Sequence, residues 1–107
     1  MQLRFTATGR TQFLNVIRCI KSDNPGAAVA FRNRVEKVLS RLERYPESGR
    51  RLPEFPDSRY REVIVAPYRF FYRTEKAVVW VAAVWHGAQL PREPGDGPHT
   101  SSIAGGV

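Results

Sequence analysis

Residues 60–87 read YREVIVAPYRFFYRTEKAVVWVAAVWHG, and this stretch decides the fold. Val, Tyr, Phe and Trp crowd three runs, Tyr60 to Val65, Tyr68 to Arg73 and Ala77 to Trp85, broken at Ala66-Pro67 and again at Thr74-Glu75-Lys76. Such side chains fit a pleated, half-buried surface, and connections this short join only antiparallel neighbours, so the runs predict a three-stranded meander. Ala77 to Trp85 is apolar on both parities and belongs inside a sheet. Trp80 and Trp85 fall on opposite parities of that run, so at most one of them needs to be core. In the run before it, alternation separates Arg69, Phe71 and Arg73 from Tyr68, Phe70 and Tyr72, which predicts one basic strand face.

Upstream, Pro46 to Asp57 holds three prolines, one glycine and the pair Arg50-Arg51, and reads as a loop with that pair exposed to solvent. Before it the apolar period becomes helical. Ala28, Phe31, Val35, Val38, Leu39 and Leu42 form one stripe, and Phe13, Val16, Ile17 and Ile20 form another. Ser22-Asp23-Asn24-Pro25 divides the two helices, because Pro suits the first turn of a new helix, and Tyr45-Pro46 ends the second. Helices joined by so short a break pack as an antiparallel hairpin, whose stripes need a sheet to cover. Gln2 to Ala7 alternates with period two and supplies an N-terminal strand. The expected architecture is α+β: strand, two-helix hairpin, then a three-stranded antiparallel meander packed on the helices, over residues 1–90. Residues 91–107, rich in Pro, Gly, Ser and Thr, are expected to form a flexible tail.

Composition narrows the function. At 107 residues, with 42% hydrophobic and 25% charged side chains, the chain has room for one small globular core. Cys19 has no partner for a disulfide, and one Cys with His86 and His99 cannot complete a four-ligand zinc site, so no metal or other cofactor is expected. Cys19 itself reads as a packing residue on the first helix. The longest apolar run is nine residues, far short of a membrane span, and no signal-peptide pattern opens the chain, so a cytoplasmic protein is expected. The net charge is +7, and 14 of the 17 basic residues are Arg, whose planar fork suits phosphate or carboxylate. Nucleic acid or an acidic protein are the partner classes that follow.

One ordered set of signals is more informative than any of its parts: Asp23-Asn24-Pro25, Ala27-Ala28 and Phe31, then Leu42, Pro46 and Gly49-Arg50, then Tyr60-Arg61-Glu62, the Tyr68 to Arg73 strand, and Val84-Trp85-His86-Gly87. Over residues 1 to 90 it resembles the RelE/ParE superfamily, the toxins of type II toxin–antitoxin modules. The resemblance implies a cognate antitoxin, with an acidic, amphipathic C-terminal segment, in a hetero-oligomer with the toxin. RelE-type members cleave messenger RNA on the ribosome without a metal. For that chemistry the resemblance makes Arg61, Arg69, Arg73 and His86 the candidate catalytic residues, with Arg69 matching the strand arginine. The second arginine of that group would fall near Gly87 and its late tyrosine has no counterpart, since no Tyr follows Tyr72. The Val84-Trp85-His86-Gly87 ending is more like the ParE branch, whose members inhibit DNA gyrase and block replication, although ParE-like chains often follow His-Gly with arginine where Ala88-Gln89-Leu90 stand here.

For a protein that acts by binding, the candidate target or antitoxin contacts are Arg59, Arg61, Arg69, Phe71, Arg73 and Trp85. Arg69 and Arg73 flank Phe71 in a pattern suited to phosphates and stacked bases, or to a partner's carboxylates. Arg59 and Arg61 share a parity, but their register against Arg69 is open at this stage. His86 either acts as an acid or base near its usual titration range or simply closes the last strand.

Overall fold

The structure, a computed structural model, describes residues 1–87; the expected tail at 91–107 lies outside them. The elements are β1 (Gln2–Phe5), α1 (Ala7–Asp23), α2 (Pro25–Arg44), β2 (Arg50–Arg51), β3 (Arg61–Val65), β4 (Tyr68–Glu75) and β5 (Val78–His86). They build an α+β fold with a five-stranded sheet in the order β1-β5-β4-β3-β2. The meander β3-β4-β5 is antiparallel as expected, but β1 lies parallel to β5, so the sheet is mixed. Arg50-Arg51 is also more than loop: it pairs with Glu62 and Arg61 as a short edge strand, and both arginines remain exposed.

Local chemistry sets the helix ends. Thr6 caps α1 by accepting a hydrogen bond from the Gly9 N–H at 3.0 Å. Asn24 serves both helices. Its own N–H donates to the Ile20 carbonyl and closes α1, while its side chain accepts from Ala27 N–H and opens α2, with Pro25 in the first turn. The α2 stripe is buried as expected at Ala28, Phe31, Val35, Leu39 and Leu42. Phe13, Val16, Ile17 and Ile20 of α1 join it over Phe70, Tyr72, Val79, Val81 and Val84 of the sheet. Cys19 is exposed rather than packed, because it lies outside that stripe.

The turn between β4 and β5 is Lys76-Ala77, one residue later than the sequence pattern suggests, with φ of 50° and 63°. Two left-handed residues match the twist of a two-residue hairpin, a place where Asn-Gly is usual.

A bulge in β5 has the largest consequence for the site. Tyr72 pairs with Val81 and Phe71 with Ala83, leaving Ala82 as an extra residue. The parity of β5 therefore changes at Ala82. Val79, Val81 and then Val84 face the helices, while Trp80 and Trp85, on opposite sequence parities, both face away, beside Arg73 and Arg69 respectively. Helix α1 sits against this irregularity. Its capping Thr6 donates from its hydroxyl toward the Val81 and Ala82 carbonyls, and Gln12 accepts from Val84 N–H at 2.8 Å. Between them Gly9 approaches so closely that a Cβ there would stand 2.3 Å from the Val81 carbonyl oxygen.

Candidate functional site

The sheet face turned away from the helices carries most of the candidate residues, and it is not a uniform basic surface. Segment 52–60 covers one end of it. There Leu52, Tyr60, Phe71, Ala82, Ala83 and Trp85 form a second small core, with Phe55 packed against it. The Phe71 and Trp85 rings meet edge to face at 4.9 Å. Both are buried, because aromatic side chains on the far face of a sheet need a cover and the proline-containing segment provides one.

Arg69 lies within this second core. Its Nε donates to Glu62 at 2.7 Å, its terminal nitrogen donates to Glu54 at 3.0 Å, and its guanidinium lies 4.9 Å from the centre of the Phe71 ring. The Glu62 carboxylate has no exposed surface, and its second oxygen accepts from Arg50 Nε at 2.8 Å. The result is a chain of alternating charges, Arg50–Glu62–Arg69–Glu54, running from the sheet edge inward and back out to the covering loop. Burial opposes charge on Arg69, but the two carboxylates outweigh it and hold the guanidinium above its ordinary value. For Glu54 burial again works against ionisation. Its own backbone hydrogen bond and Arg69 outweigh it and hold the carboxyl below the usual range.

Arg61 is elsewhere. It pairs with Tyr72, so it lies on the helix-facing side of the sheet, and it donates to the Gly49 carbonyl at 3.0 Å. The register left open by the sequence is thereby settled: Arg61 does not share a face with Arg69 and Arg73. Tyr72 anchors the same loop, donating to the Pro46 carbonyl at 2.7 Å and accepting from Gly49 N–H at 2.9 Å. A Cβ on Gly49 would stand 2.3 Å from that hydroxyl oxygen, so glycine is required by close approach.

Arg73 is partly exposed and less well served than Arg69. One terminal nitrogen lies 3.5 Å from Glu75, while its buried Nε has no hydrogen-bond partner among the described residues. Its guanidinium and that of exposed Arg59 lie 5.9 and 5.8 Å from the Tyr60 ring centre. His86 closes β5, exposed, with its ring against Tyr68 at 5.4 Å. Arg4 was not among the sequence candidates, and Trp80 only as the tryptophan that would be a protein contact if exposed; Trp80 is half-buried on the same face, between Arg73 of β4 and exposed Arg4 of β1. Their alternation with neighbouring apolar residues was visible, but the bulge that selects their face was not.

On the opposite side of the molecule a groove of about 290 Å³ runs between β1 and α2, floored by Leu3, Phe5, Phe13, Val35 and Leu39. It continues along α2 to a basic stretch with Lys37, Arg41, Arg44 and the exposed Tyr45. No group of three or more His, Cys, Asp or Glu among the described residues is placed to hold a metal ion, and no described helix is long and apolar enough to cross a membrane.

Residues 3–91 match the family model of the ParE toxin of the type II toxin–antitoxin system, parDE. The chain belongs to the ParE toxin family. Membership bears out the resemblance on its ParE side and makes the protein the toxin of a type II module, with a cognate antitoxin as its partner. Comparison with curated proteins gives no match. Within this ParE-family fold, the strand arginine Arg69 is held by two carboxylates, Glu62 and Glu54.

Proposed function

We propose that this ParE-family toxin acts by binding rather than by cutting a substrate: it inhibits DNA gyrase, blocks replication, and is silenced when an antitoxin segment occupies its surface. The observation that carries this reading is the separation of Arg69 from Arg61. Cleavage of a phosphodiester needs unpaired cations and a proton donor converging on one phosphate. Here Arg69 already holds two carboxylates, and Arg61 lies across the sheet on a backbone carbonyl. Arg59, Arg73 and the half-buried Trp80 beside Arg73 are then contact residues for a macromolecular partner.

The groove beside α2 suits the antitoxin. An acidic, amphipathic segment would set apolar anchors over Leu3, Phe5 and Leu39 and bring its carboxylates to Lys37, Arg41 and Arg44. Such a complex should lose affinity as salt rises, without dissociating fully. The test pairs a gyrase supercoiling assay on the purified chain with primer extension on ribosome-bound message from cells expressing it. Inhibited supercoiling with intact message is expected. Cleavage in the ribosomal A site with undisturbed supercoiling would overturn the reading in favour of a RelE-like endoribonuclease.

A further inference from the structure

We propose that the end of the sheet's far face left open by the 52–60 segment is a binding strip for single-stranded nucleic acid, formed by Arg4, Trp80 and Arg73 with Arg59 at its end. The bulge at Ala82 turns Trp80 to this face. In the register, Arg4 of β1 pairs with Trp80 of β5, and Trp80 pairs with Arg73 of β4. Tyr60, itself buried, supports the guanidiniums of Arg73 and Arg59 from beneath, and Trp80 is the ring of the strip that a base would stack on. With neighbouring strands roughly 4.8 Å apart, the three paired positions Arg4, Trp80 and Arg73 span about 10 Å, an aromatic ring between two cations.

That alternation suits a chain of phosphates and bases. Cations track the backbone and aromatic rings stack successive bases, a combination that tolerates sequence because every base has a π face. Arg73 gives a further reason. Its single carboxylate neighbour among the described residues, the half-exposed Glu75, is 3.5 Å away. Arg69 on the same strand has both its carboxylates at 2.7 and 3.0 Å. An incoming phosphate therefore improves the surroundings of Arg73 and would gain nothing at Arg69. Among the described residues Glu75 is the one acidic side chain paired to the strip, and it competes with the phosphate. This proposal goes beyond gyrase inhibition and stands whether or not gyrase is the target.

Fluorescence anisotropy of labelled oligo-dT and oligo-U, titrated with the full chain at two salt concentrations, tests it. Binding with quenching of tryptophan emission is expected. Trp80→Ala should weaken it about tenfold, within the range for loss of one stacked base, whereas Trp80→Phe should retain most of it. Arg73→Gln should weaken binding and flatten the salt dependence, as loss of one phosphate contact requires. Glu75→Gln should tighten binding, an effect that damage to the fold cannot produce. The two oligonucleotides distinguish DNA from RNA as the source of the strand. Equal affinity for duplex DNA, or binding unchanged in Trp80→Ala, would overturn the proposal in favour of diffuse charge attraction. Displacement of the oligonucleotide by an acidic peptide that binds more tightly, with that peptide's affinity also lowered in Trp80→Ala, would overturn it in favour of a protein contact.

Discussion

Replacing Arg69 with Met separates a structural role for this arginine from a direct functional one. The substitution leaves the Glu62 carboxylate, which has no exposed surface, with only Arg50, whose own side chain is 64% exposed. Breaking a buried ion pair from one side costs about 3–5 kcal/mol. Because Arg50 still serves one carboxylate oxygen, the lower end, about 3 kcal/mol, is the figure to expect. For a domain of this size, at roughly 4–8 °C per kcal/mol, the melting temperature should fall by about 12–24 °C. Removing Glu62 as well, in Arg69→Met with Glu62→Leu, changes the balance. The charges left behind, Arg50 and Glu54, both reach solvent, so no buried ion remains unpaired. The double variant should recover most of the loss, since apolar replacement of a complete buried pair is often neutral or stabilising. Thermal melts by circular dichroism, run beside growth arrest on induction without antitoxin, measure both consequences. If Arg69 acts only through the fold, toxicity returns with stability in the double variant. A single variant within about 1 kcal/mol of the parent, or a double variant as unstable as the single, would refute the charge-network reasoning. A stable double variant without toxicity would show that Arg69 touches the target.

Two glycines should resist even alanine. Gly9→Ala meets a backbone carbonyl that cannot move aside, and Gly49→Ala meets the Tyr72 hydroxyl, so each should cost about 1–3 kcal/mol or more in urea denaturation, Gly9→Ala the larger. The pH profile has a definite sign at each end. Burial raises Tyr72 and Tyr68 above the ordinary tyrosine value, so the unfolded chain releases these protons first, and stability should fall as pH rises beyond about 10. Glu54 is held below its usual value, so its contribution is present above about pH 4.3 and is lost as acid protonates it; Glu54→Gln should flatten that acid limb.

Much of the fold was legible because its signals are local. Asn24-Pro25 marks the helix junction, the α2 stripe marks the core, and the aromatic runs mark the meander. What was not legible depends on contacts across the chain. Arg50-Arg51 becomes a strand only because Glu62 and Arg61 stand opposite, beyond the last of the prolines that suggested a loop. Alternation correctly separated Arg69 from Phe70 but could not show that Glu54, fifteen positions upstream, would fold back to neutralise it. A continuous apolar run such as Ala77 to Trp85 conceals a bulge completely, since an extra alanine changes no hydrophobic pattern. That one residue reversed the expected relation of the two tryptophans.

The bulge also explains how so small a sheet presents two different surfaces. Without an extra residue at Ala82, Trp80 and Trp85 could not share a face, and one of them would be driven among the helices. With it, β5 places Trp85 under the 52–60 loop, where the aromatic ring helps enclose the Arg69 ion chain, and leaves Trp80 outside the loop between two less restrained arginines. The backbone groups disturbed by the bulge would carry a cost if left without partners. Thr6 and Gln12 meet that need from the other side, Gly9 between them allows the close approach, and the helix hairpin is thereby seated on the same irregularity. Altering any of the three should therefore disturb the far face through β5 as well as the core beneath α1. Gln12→Leu is the informative case: it keeps the volume near the core but removes the acceptor for Val84 N–H, at a cost of about 1–3 kcal/mol for the unsatisfied donor. A shift of tryptophan emission in a variant that is still folded would place the coupling in β5. Unchanged emission with the full stability loss would confine the effect to α1.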